Sequence, residues 1–211
     1  MLTDADAAAL ERCLQDGGVA VFPADTVYGL ACRPDAQDAV ERLYGLKGRP
    51  PAKPAAVLFF DLALALAALP ELGPRTRAAL ERLLPGGVTL LLPNPRGRFP
   101  LACGPDPATL GVRVPALTGA LAPLGAVRTP ALQSSANRAG GPDARRLGEV
   151  PEAIRRAADL VIDAGELPGT PSTVVDLRDH ERAGTHRILR AGAVPAHAVA
   201  RALATSGPAG G

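Results

Sequence analysis

The sequence predicts an α/β protein in which helices flank a mixed β-sheet. Short apolar runs of strand length recur along the 211 residues, and the segments between them repeat apolar residues with helical spacing. Hydrophobic residues make up 47% of the chain, which is enough to bury a sizeable core. Because no internal repeat divides the sequence, we expect one domain over residues 1–205 and a flexible tail over residues 206–211.

The first elements carry start and stop signals. Thr3 and Asp6 form a capping-box pattern at the start of a first helix, which a Gly-Gly pair ends. A short buried strand follows over 19–22, and the segment TVYGLA comes after the turn at Pro23. Asp35 is predicted to cap a second helix, whose apolar residues keep the helical period.

The rest of the chain alternates between short strands and helices. An apolar strand is predicted after the Gly-rich turn in LPGGVTLLLP. The other predicted strands lie at 56–60, 110–114, 130–134, 159–163, 172–177 and 187–190, and the predicted helices lie at 62–69, 75–84, 116–123 and 151–157. A Pro-rich loop over 93–110 is of the kind that often borders a site.

Charge and cysteine content exclude several classes of protein. The formal net charge is +2, from 23 basic and 21 acidic side chains, so no overall field indicates a nucleic acid or an anionic membrane as the partner. The N-terminal segment is acidic and amphipathic, unlike a signal peptide, and no apolar run reaches membrane-spanning length, so we expect a cytoplasmic protein. Three widely spaced cysteines suggest neither a disulfide framework nor a zinc site, and no resident metal is expected.

Both lysines of the chain, Lys47 and Lys53, lie in the segment LYGLKGRPPAKP, whereas arginine supplies the positive charge elsewhere. The prolines of this segment end the second helix, so we expect Lys47, Arg49 and Lys53 on a stiff, extended loop. Such a cluster of cations suits a polyphosphate or carboxylate ligand. The alternative is a solvated loop, and the restriction of lysine to this segment favours the ligand.

Three further segments carry polar side chains next to predicted strands. Arg113, in LGVRVP, lies on the strand face opposite its neighbouring valines, where it meets either solvent or a carboxylate; strand alternation slightly favours solvent. The segments LQSSANRAGGPD and GTPSTVV place Ser135, Asn137 and Ser172 beside strands and glycines, where hydroxyls and amides can bind phosphate oxygens. Each of these two segments alone is a weak signal, and for SSAN taken alone an ordinary Ser/Asn turn is the favoured interpretation.

The sequence does not indicate hydrolysis by a nucleophilic side chain. His180, His186 and His197 lie outside the polar clusters, and we expect all three at the surface. No Ser/His/Asp or Cys/His arrangement is readable, and no GxxxxGK[ST] phosphate loop is present. Anion-binding and hydroxyl groups without an evident base suit a reaction whose nucleophile arrives already ionised.

Seven of these segments occur in a characteristic order: ADTVYGLA, LYGLKGRPPAKP, LPGGVTLLL, GVRVP, SSANRAGG, GTPSTVVDL and ILRAGAVP. Together they resemble the YrdC family, the threonylcarbamoyl-adenylate synthases. The resemblance covers roughly residues 8–195, and the chain is similar to the short, single-domain form of the family. Each segment is a modest signal, but the order and spacing of all seven are specific.

The resemblance implies a fold and a reaction. The family fold is a twisted mixed sheet with helices around a concave, positively charged cleft. The family reaction joins L-threonine, bicarbonate or CO2, and ATP with Mg²⁺ to give threonylcarbamoyl-AMP and pyrophosphate. A partner transferase complex then passes the threonylcarbamoyl group to an adenosine beside the anticodon of tRNAs, which forms N6-threonylcarbamoyladenosine.

The resemblance also implies roles for particular residues. Arg49 and Lys53 should bind the ATP phosphates, and Lys47 should line the same cleft, so these three are the predicted catalytic residues. The other predicted ATP ligands are Ser135, Asn137 and Arg190, and the predicted L-threonine ligands are Thr26, Arg113 and Ser172. For Arg113, the resemblance favours a side chain that faces the site and pairs with the threonine carboxylate.

The chain departs from the family pattern at four positions. Gly87 stands where the family has a proline and should loosen that turn, and Ala24 stands where Thr or Ser is usual. Ser134 replaces a frequent proline, and Asp143 brings a negative charge near the predicted phosphate site, where it would be unfavourable.

Two other functions remain open at this stage. The same cleft would serve mainly as an RNA-binding module, as has been considered for relatives, with weak affinity for tRNA or double-stranded RNA. The near-neutral charge and the absence of tryptophan argue against this function. The other alternative is a paralogue that uses another carbamoyl acceptor, although such relatives are usually modules of much larger, cysteine-rich proteins.

Overall fold

The computed structural model describes residues 1–48, 50 and 53–204, and within them nine strands form one twisted mixed β-sheet. The strands are β1 (Ala20–Pro23), β2 (Tyr28–Cys32), β3 (Ala56–Leu58), β4 (Val88–Pro93), β5 (Thr109–Arg113), β6 (Ala131–Ser135), β7 (Leu160–Val161), β8 (Thr173–Asp176) and β9 (Arg187–Arg190). Their order across the sheet is β7-β1-β2-β6-β3-β5-β4-β8-β9. Three pairs are parallel, β1 with β7, β3 with β5 and β4 with β8, and the other described pairs are antiparallel.

Helices flank the sheet, as predicted. They are α1 (Asp4–Gln15), α2 (Gln37–Lys47), α3 (Leu62–Ala68), α4 (Pro74–Leu83), α5 (Pro100–Cys103), α6 (Glu152–Ala157), α7 (His180–Ala183) and α8 (Ala196–Ala204). Two 3₁₀ helices cover Gly119–Ala126 and Leu147–Glu149. No helix in the described part of the chain combines the length and the apolar character needed to cross a membrane.

Most sequence-based expectations about the elements are confirmed. The capping box at the start of α1 forms as predicted, with Thr3 and Asp6 bonded to each other's backbone. The predicted cap of α2 is wrong: its N-cap is Ala36, because the Asp35 carboxylate pairs instead with Arg33 at 2.6 Å. The segment predicted as a helix at 116–123 forms a 3₁₀ helix, and the Pro-rich loop contains the single turn α5.

One face of the sheet packs against helices across most of its width. Alternate strand residues, including Val21, Leu30, Leu132, Val57, Val112, Leu90 and Val175, are buried in a core to which α2, α4 and α8 contribute. Strand residues of opposite parity line the other face. At the β1–β2 end of that face, Phe22 and Ala31 pack against Leu10 and Leu14 of α1 and Leu124 of the first 3₁₀ helix.

The part of the second face that β4, β5 and β8 form borders a cavity. In β5, Leu110 and Val112 enter the core, whereas Thr109, Gly111 and Arg113 line a cavity on the opposite side of the sheet. Because strand side chains alternate, the same strands build both the core and the cavity. Strands therefore position most of the cavity side chains.

Candidate functional site

The cavity has a volume of about 430 Å³ and a floor of small residues. Ala56 of β3 pairs with Gly111 of β5 on one side and with Gln133 of β6 on the other. A Cβ atom at Gly111 would lie 3.4 Å from the Cα atom of Ala56, which is an ordinary van der Waals distance. Because glycine lacks this atom, Gly111 leaves more space above the sheet than any other residue would. This arrangement leaves room above the sheet for a small-molecule ligand.

Strand register separates the cavity into two ends. Arg113 pairs with Leu58, two residues beyond the Ala56 row in one direction, whereas Ser135 lies two residues beyond Gln133 in the other. The two rows are therefore about 13 Å apart along the strands. We call them the Arg113 end and the Ser135 end.

At the Arg113 end, a buried arginine is held by an aspartate and a threonine. Nη2 of Arg113 donates to Oδ1 of Asp25 and to Oγ1 of Thr26, both at 2.5 Å. The second carboxylate oxygen of Asp25 accepts from the backbone N–H of Ala116 at 3.0 Å. Arg113 is 3% exposed, and its Nε has no hydrogen-bond partner within the described residues. The side chain is therefore fixed while part of its donor capacity remains unused.

The charges around Arg113 favour an incoming anion. Burial lowers the pKa of the Arg113 guanidinium, and the positive charge of Arg190 acts in the same direction, although the Asp25 carboxylate opposes both. An anionic ligand would offset the free-energy cost of burying the Arg113 guanidinium and the repulsion between Arg113 and Arg190. The Arg113 end is thus suited to a carboxylate or phosphate group.

A second arginine reaches the same end from the sheet edge. Arg190 of β9 donates through Nη2 to the backbone oxygen of Ser172 at 2.7 Å and to its Oγ at 3.2 Å. Oγ of Ser172 also lies 2.8 Å from Oγ1 of Thr89 on β4. Arg190, Ser172 and Thr89 all line the cavity, so the edge strand contributes one cation and two hydroxyl groups lie beside it.

At the Ser135 end, Lys47 holds the polar turn of Ser135 and Asn137 in place through hydrogen bonds. Lys47 is 2% exposed, and its Nζ donates to the backbone oxygen of Asn137 at 2.9 Å, to Oδ1 of Asn137 at 2.8 Å and to the backbone oxygen of Ser135. Oγ of Ser135 donates to the same Asn137 oxygen at 2.8 Å. Nδ2 of Asn137 donates to the Gly141 carbonyl at 2.7 Å and to the Asp143 carboxylate at 3.2 Å.

A cluster of ion pairs borders the side of the cavity formed by β8 and the Pro-rich loop. Asp176 accepts two hydrogen bonds from the Arg178 side chain, one from the Arg178 backbone N–H and one from Arg187, and these contacts hold the pKa of its carboxyl well below the ordinary value of 3.8. Arg178 lines the cavity with Asp106 and Thr109, which belong to the loop predicted to border a site.

The structure brings together many of the predicted site residues. Arg113, Ser135, Ser172 and Arg190 line the cavity. Thr26, Lys47 and Asn137 are buried and contact these residues or their neighbours. Lys53 is exposed next to Pro54, which lines the cavity, and Arg49 and the tail over 206–211 lie outside the described residues. The ligand roles of all these side chains remain predictions.

Three expectations about placement are wrong. Lys47 lies in the last turn of α2 and is buried, because it finds carbonyl acceptors there, so it is not presented on the extended loop. Arg113 does not face solvent, as alternation alone slightly favoured, because Asp25 neutralises it inside the protein. His180 is 3% exposed, with Nδ1 3.1 Å from the Thr185 carbonyl, so it is not a surface residue.

Sequence reasoning missed several residues of the site. Asp25 precedes Thr26 in ADTVYGLA. The only signal for Asp25 was that a carboxylate was one of the two environments considered for Arg113. Gln133 and Ser135 share one face of β6 because strands have a period of two, which was a usable signal. Arg178 gave no signal, since its contact with Asp106 depends on the fold of the long loop.

The departures from the family pattern have local contacts. A Cβ atom at Gly87 would lie only 2.9 Å from Cβ of Ala193, so this position admits no side chain without a shift. Asp143 lines the cavity and accepts from Asn137, and Ser134 also lines the cavity. Ala24 is fully buried. Gly87 is therefore closely packed, and the looser turn stays a prediction.

Comparison with known proteins agrees with this geometry. The Sua5/YciO/YrdC family model, described as "Telomere recombination", matches residues 12–192. A threonylcarbamoyl-AMP synthase of Nitrosococcus oceani is 34% identical over 173 residues, which cover 81% of this chain and 92% of that protein. A threonylcarbamoyl-AMP synthase of Chromohalobacter salexigens is 36% identical over 171 residues, with coverage of 80% and 90%.

A solved structure is similar along almost the whole chain. Pyrococcus abyssi Sua5 complexed with L-threonine superimposes with a TM-score of 0.82 and 26% identity. The match covers 96% of this chain and 58% of the Pyrococcus protein, so this chain spans less than two thirds of that relative. The family model and the bacterial relatives each cover most of the sequence, and the chain belongs to the Sua5/YciO/YrdC family.

Proposed function

We propose that this protein is a threonylcarbamoyl-AMP synthase, which joins L-threonine, bicarbonate or CO2, and ATP and releases pyrophosphate, together with water when bicarbonate supplies the carbon. The observation that carries the proposal is the two-ended cavity. One end holds a buried arginine with unused donor capacity, and the other holds the polar turn of Ser135 and Asn137. The names of the bacterial relatives and the L-threonine complex of the Pyrococcus protein support the same reaction.

The Arg113 end is the proposed site for L-threonine. Arg113 would pair with the substrate carboxylate through the donors that Asp25 and Thr26 leave unused. The hydroxyl of Ser172 would contact threonine from the β8 side. Because Asp25 fixes the guanidinium before the ligand arrives, little side-chain entropy is lost on binding.

The Ser135 end is the proposed site for the nucleotide. Lys53 and Arg49 would bind the phosphates of ATP, and Ser135 and Asn137 would contact the nucleotide beside them. ATP would enter with Mg²⁺, which neutralises part of the phosphate charge. Among the described residues, Asp106 and Asp143 are the two carboxylates that line the cavity, and a magnesium ion carried by phosphate oxygens would suit one or two such ligands.

The reaction requires alignment more than proton transfer. The neutral amine of threonine adds to the carbon of CO2 and loses one proton to solvent, which gives a carbamate anion, so the carbamate oxygen is already ionised when it attacks the α-phosphorus. The bond from that phosphorus to the pyrophosphate oxygen breaks as the new bond forms. Cations supply the stabilisation, and Arg190, Lys53 and Arg49 are the proposed sources in the protein.

Further steps depend on partners. The threonylcarbamoyl-AMP product would pass to a transferase complex that modifies tRNA, and we expect this to happen in the cytoplasm. Weak binding of tRNA would assist that transfer, whereas tRNA binding without ATP turnover would indicate an RNA-binding module instead. The steepness of the salt dependence would report how many phosphates such an RNA contact neutralises.

The test is pyrophosphate release by the purified protein with MgATP, bicarbonate and L-threonine, omitting each in turn. We expect release only when all three are present. Valine should fail because a buried polar partner would be left without its hydroxyl, whereas serine should be disfavoured only modestly, by about 1 to 3 kcal/mol for one methyl group. Release without threonine or without bicarbonate would contradict the proposal.

A further inference from the structure

A polar side chain in the middle of the cavity has no assigned role. Gln133 lines the cavity and is 6% exposed, and no described residue forms a hydrogen bond with its carboxamide. Its amide atoms are not among the fully buried, unpartnered polar atoms of the described residues, so they are accessible from the cavity. Its donors and acceptor are therefore available to a ligand in the cavity.

The register of the sheet places Gln133 between the two proposed substrate sites. Its row, through Ala56 and Gly111, lies two residues from the Arg113 row in one direction and two residues from Ser135 in the other. Each step is about 7 Å along the strands. Since Ala56 and Gly111 carry almost no side chain, Gln133 is the polar residue of this middle row that borders the empty floor.

The neighbouring strand is adapted to the carboxamide. A Cβ atom at Gly29 of β2 would lie 2.8 Å from Nε2 of Gln133, so the amide occupies the space that a side chain at position 29 would need. The backbone of Gly29 pairs with Ser135, which ties the amide to the nucleotide end of the same sheet. Gln133 is thus seated in the sheet surface rather than extended into solvent.

The group that must lie between threonine and the α-phosphate is the carbamate. A carbamate combines an N–H donor with carboxylate oxygens in one plane, and a carboxamide combines NH₂ donors with a carbonyl acceptor in one plane. The two groups can therefore form paired hydrogen bonds, one of them to a charged acceptor. Neither the threonine carboxylate nor a phosphate has a donor that would use the carbonyl oxygen of Gln133 in this way.

We propose that the carboxamide of Gln133 binds the carbamate of the threonine carbamate intermediate and orients its oxygen toward the nucleotide. The inference rests on the proposed function, because it names a substrate group of that reaction. Gln133 would then determine how efficiently bicarbonate is used, while the affinities for threonine and ATP depend on the residues at the two ends. Nothing in the proposed threonine or ATP contacts requires Gln133.

The experiment compares Gln133→Met and Gln133→Ala with the wild-type protein. Methionine keeps a similar volume without hydrogen bonds, and alanine removes the group altogether. The matched control is Gln37→Met, since the Gln37 amide is exposed on α2 and bonds only Glu41 among the described residues. Initial rates of pyrophosphate release are measured in CO2-free buffer with added bicarbonate varied, and calorimetry gives the dissociation constants of L-threonine and MgATP separately.

We expect both Gln133 variants to lose about ten- to hundredfold in kcat/KM for bicarbonate, the size of a lost hydrogen bond to a charged group. Their dissociation constants for threonine and MgATP should stay at the wild-type values, and Gln37→Met should behave as wild type. Wild-type bicarbonate kinetics in Gln133→Met would overturn the inference, as would a loss that appears equally in threonine or ATP binding or in the melting temperature. A wild-type protein without threonine-dependent release would instead refute the proposed function, and this inference with it.

Discussion

The ammonium group of Lys47 donates to both the side-chain and the backbone oxygen of Asn137, at 2.8 and 2.9 Å. Lys47 also donates to the backbone oxygen of Ser135, so the last turn of α2 fixes the turn that follows β6. A lysine with its ammonium surrounded by carbonyl oxygens is suited to hold the nucleotide end in shape. This arrangement favours a positioning role for Lys47, which was predicted as a catalytic residue that lines the cleft.

Lys47→Met should therefore reduce stability and ATP binding together. The substitution removes one donor from each of three oxygen acceptors, although Oδ1 of Asn137 keeps the Ser135 hydroxyl and the Ser135 carbonyl keeps the Asn137 N–H, and we expect the free energy of unfolding to fall by about 2 to 4 kcal/mol. Denaturant unfolding and calorimetric titration with MgATP measure the two effects. If Lys47→Met kept wild-type stability and lost only ATP affinity, the positioning role would be wrong.

Removing the predicted phosphate ligands should reduce activity without reducing stability. Lys53→Ala and Arg49→Ala should each lower pyrophosphate release by about one to three orders of magnitude, as expected for loss of a charge-assisted contact. Lys53 is exposed, so its removal should leave the melting temperature unchanged. Turnover at the wild-type rate in both variants would rule out the triphosphate assignment.

Thr26→Ala should raise the KM for L-threonine by about tenfold, because the variant loses a hydroxyl and loosens Arg113. The affinity for MgATP should remain nearly intact, since Thr26 lies at the other end of the cavity. Thr26→Ser is the matched control, as it retains the hydroxyl group. An equal loss of threonine and ATP binding in Thr26→Ala would mean that the β1–β2 turn had collapsed.

Asp25→Asn should also act on threonine, since it removes the charge that holds the Arg113 guanidinium. We expect the KM for L-threonine to rise by about tenfold or more while the KM for ATP stays constant. Asp159→Asn is a close control, because Asp159 likewise accepts from an arginine, Arg42, and from a backbone N–H, but outside this cavity. Equal kinetic effects of the two substitutions would show that Asp25 is only structural.

Asp176 should make stability sensitive to acid. Because its pKa is lowered by Arg178 and Arg187, its contribution is fully present above the ordinary value of 3.8 and is lost as pH falls toward the lower pKa of the folded state. Asp176→Asn should therefore lower the melting temperature most at neutral pH, with a smaller difference below about pH 4. Asp35→Asn, in an exposed pair, should have little effect at either pH. A difference for Asp176→Asn that grew on acidification would contradict this assignment.

Much of the fold could be predicted because apolar period and turn chemistry are local properties. The capping box of α1 and the strands β4, β5 and β6 required only neighbouring residues. Asp35 was mispredicted because an adjacent arginine competed for its carboxylate. The approximate ranges of eight strands followed from the sequence, but β2 (Tyr28–Cys32) was not predicted as a strand, and the strand order depends on contacts between distant segments.

The candidate site was less predictable for the same reason. The pair of Ser135 and Asn137 and the separate segment around Ser172 were each visible, because the polar residues within each segment are close in sequence. The ion pair of Asp25 with Arg113 joins residues 88 positions apart, and the contact of Lys47 with Asn137 joins residues 90 apart. No local pattern encodes such pairs, so alternation wrongly favoured a solvent-facing Arg113.

The order of the strands also affects when the chain can fold during its synthesis. β1 is complete within the first 23 residues, but its parallel neighbour β7 begins at Leu160, and β2 pairs with β6 about a hundred residues later. Such non-local pairing must wait for most of the chain and slows folding. A nascent chain ending before Ser172 would contain α1, α2 and most of the core strands yet lack both Ser172 and Arg190. Competence to bind would thus be acquired only after β8 and β9 have been synthesised and have completed the sheet.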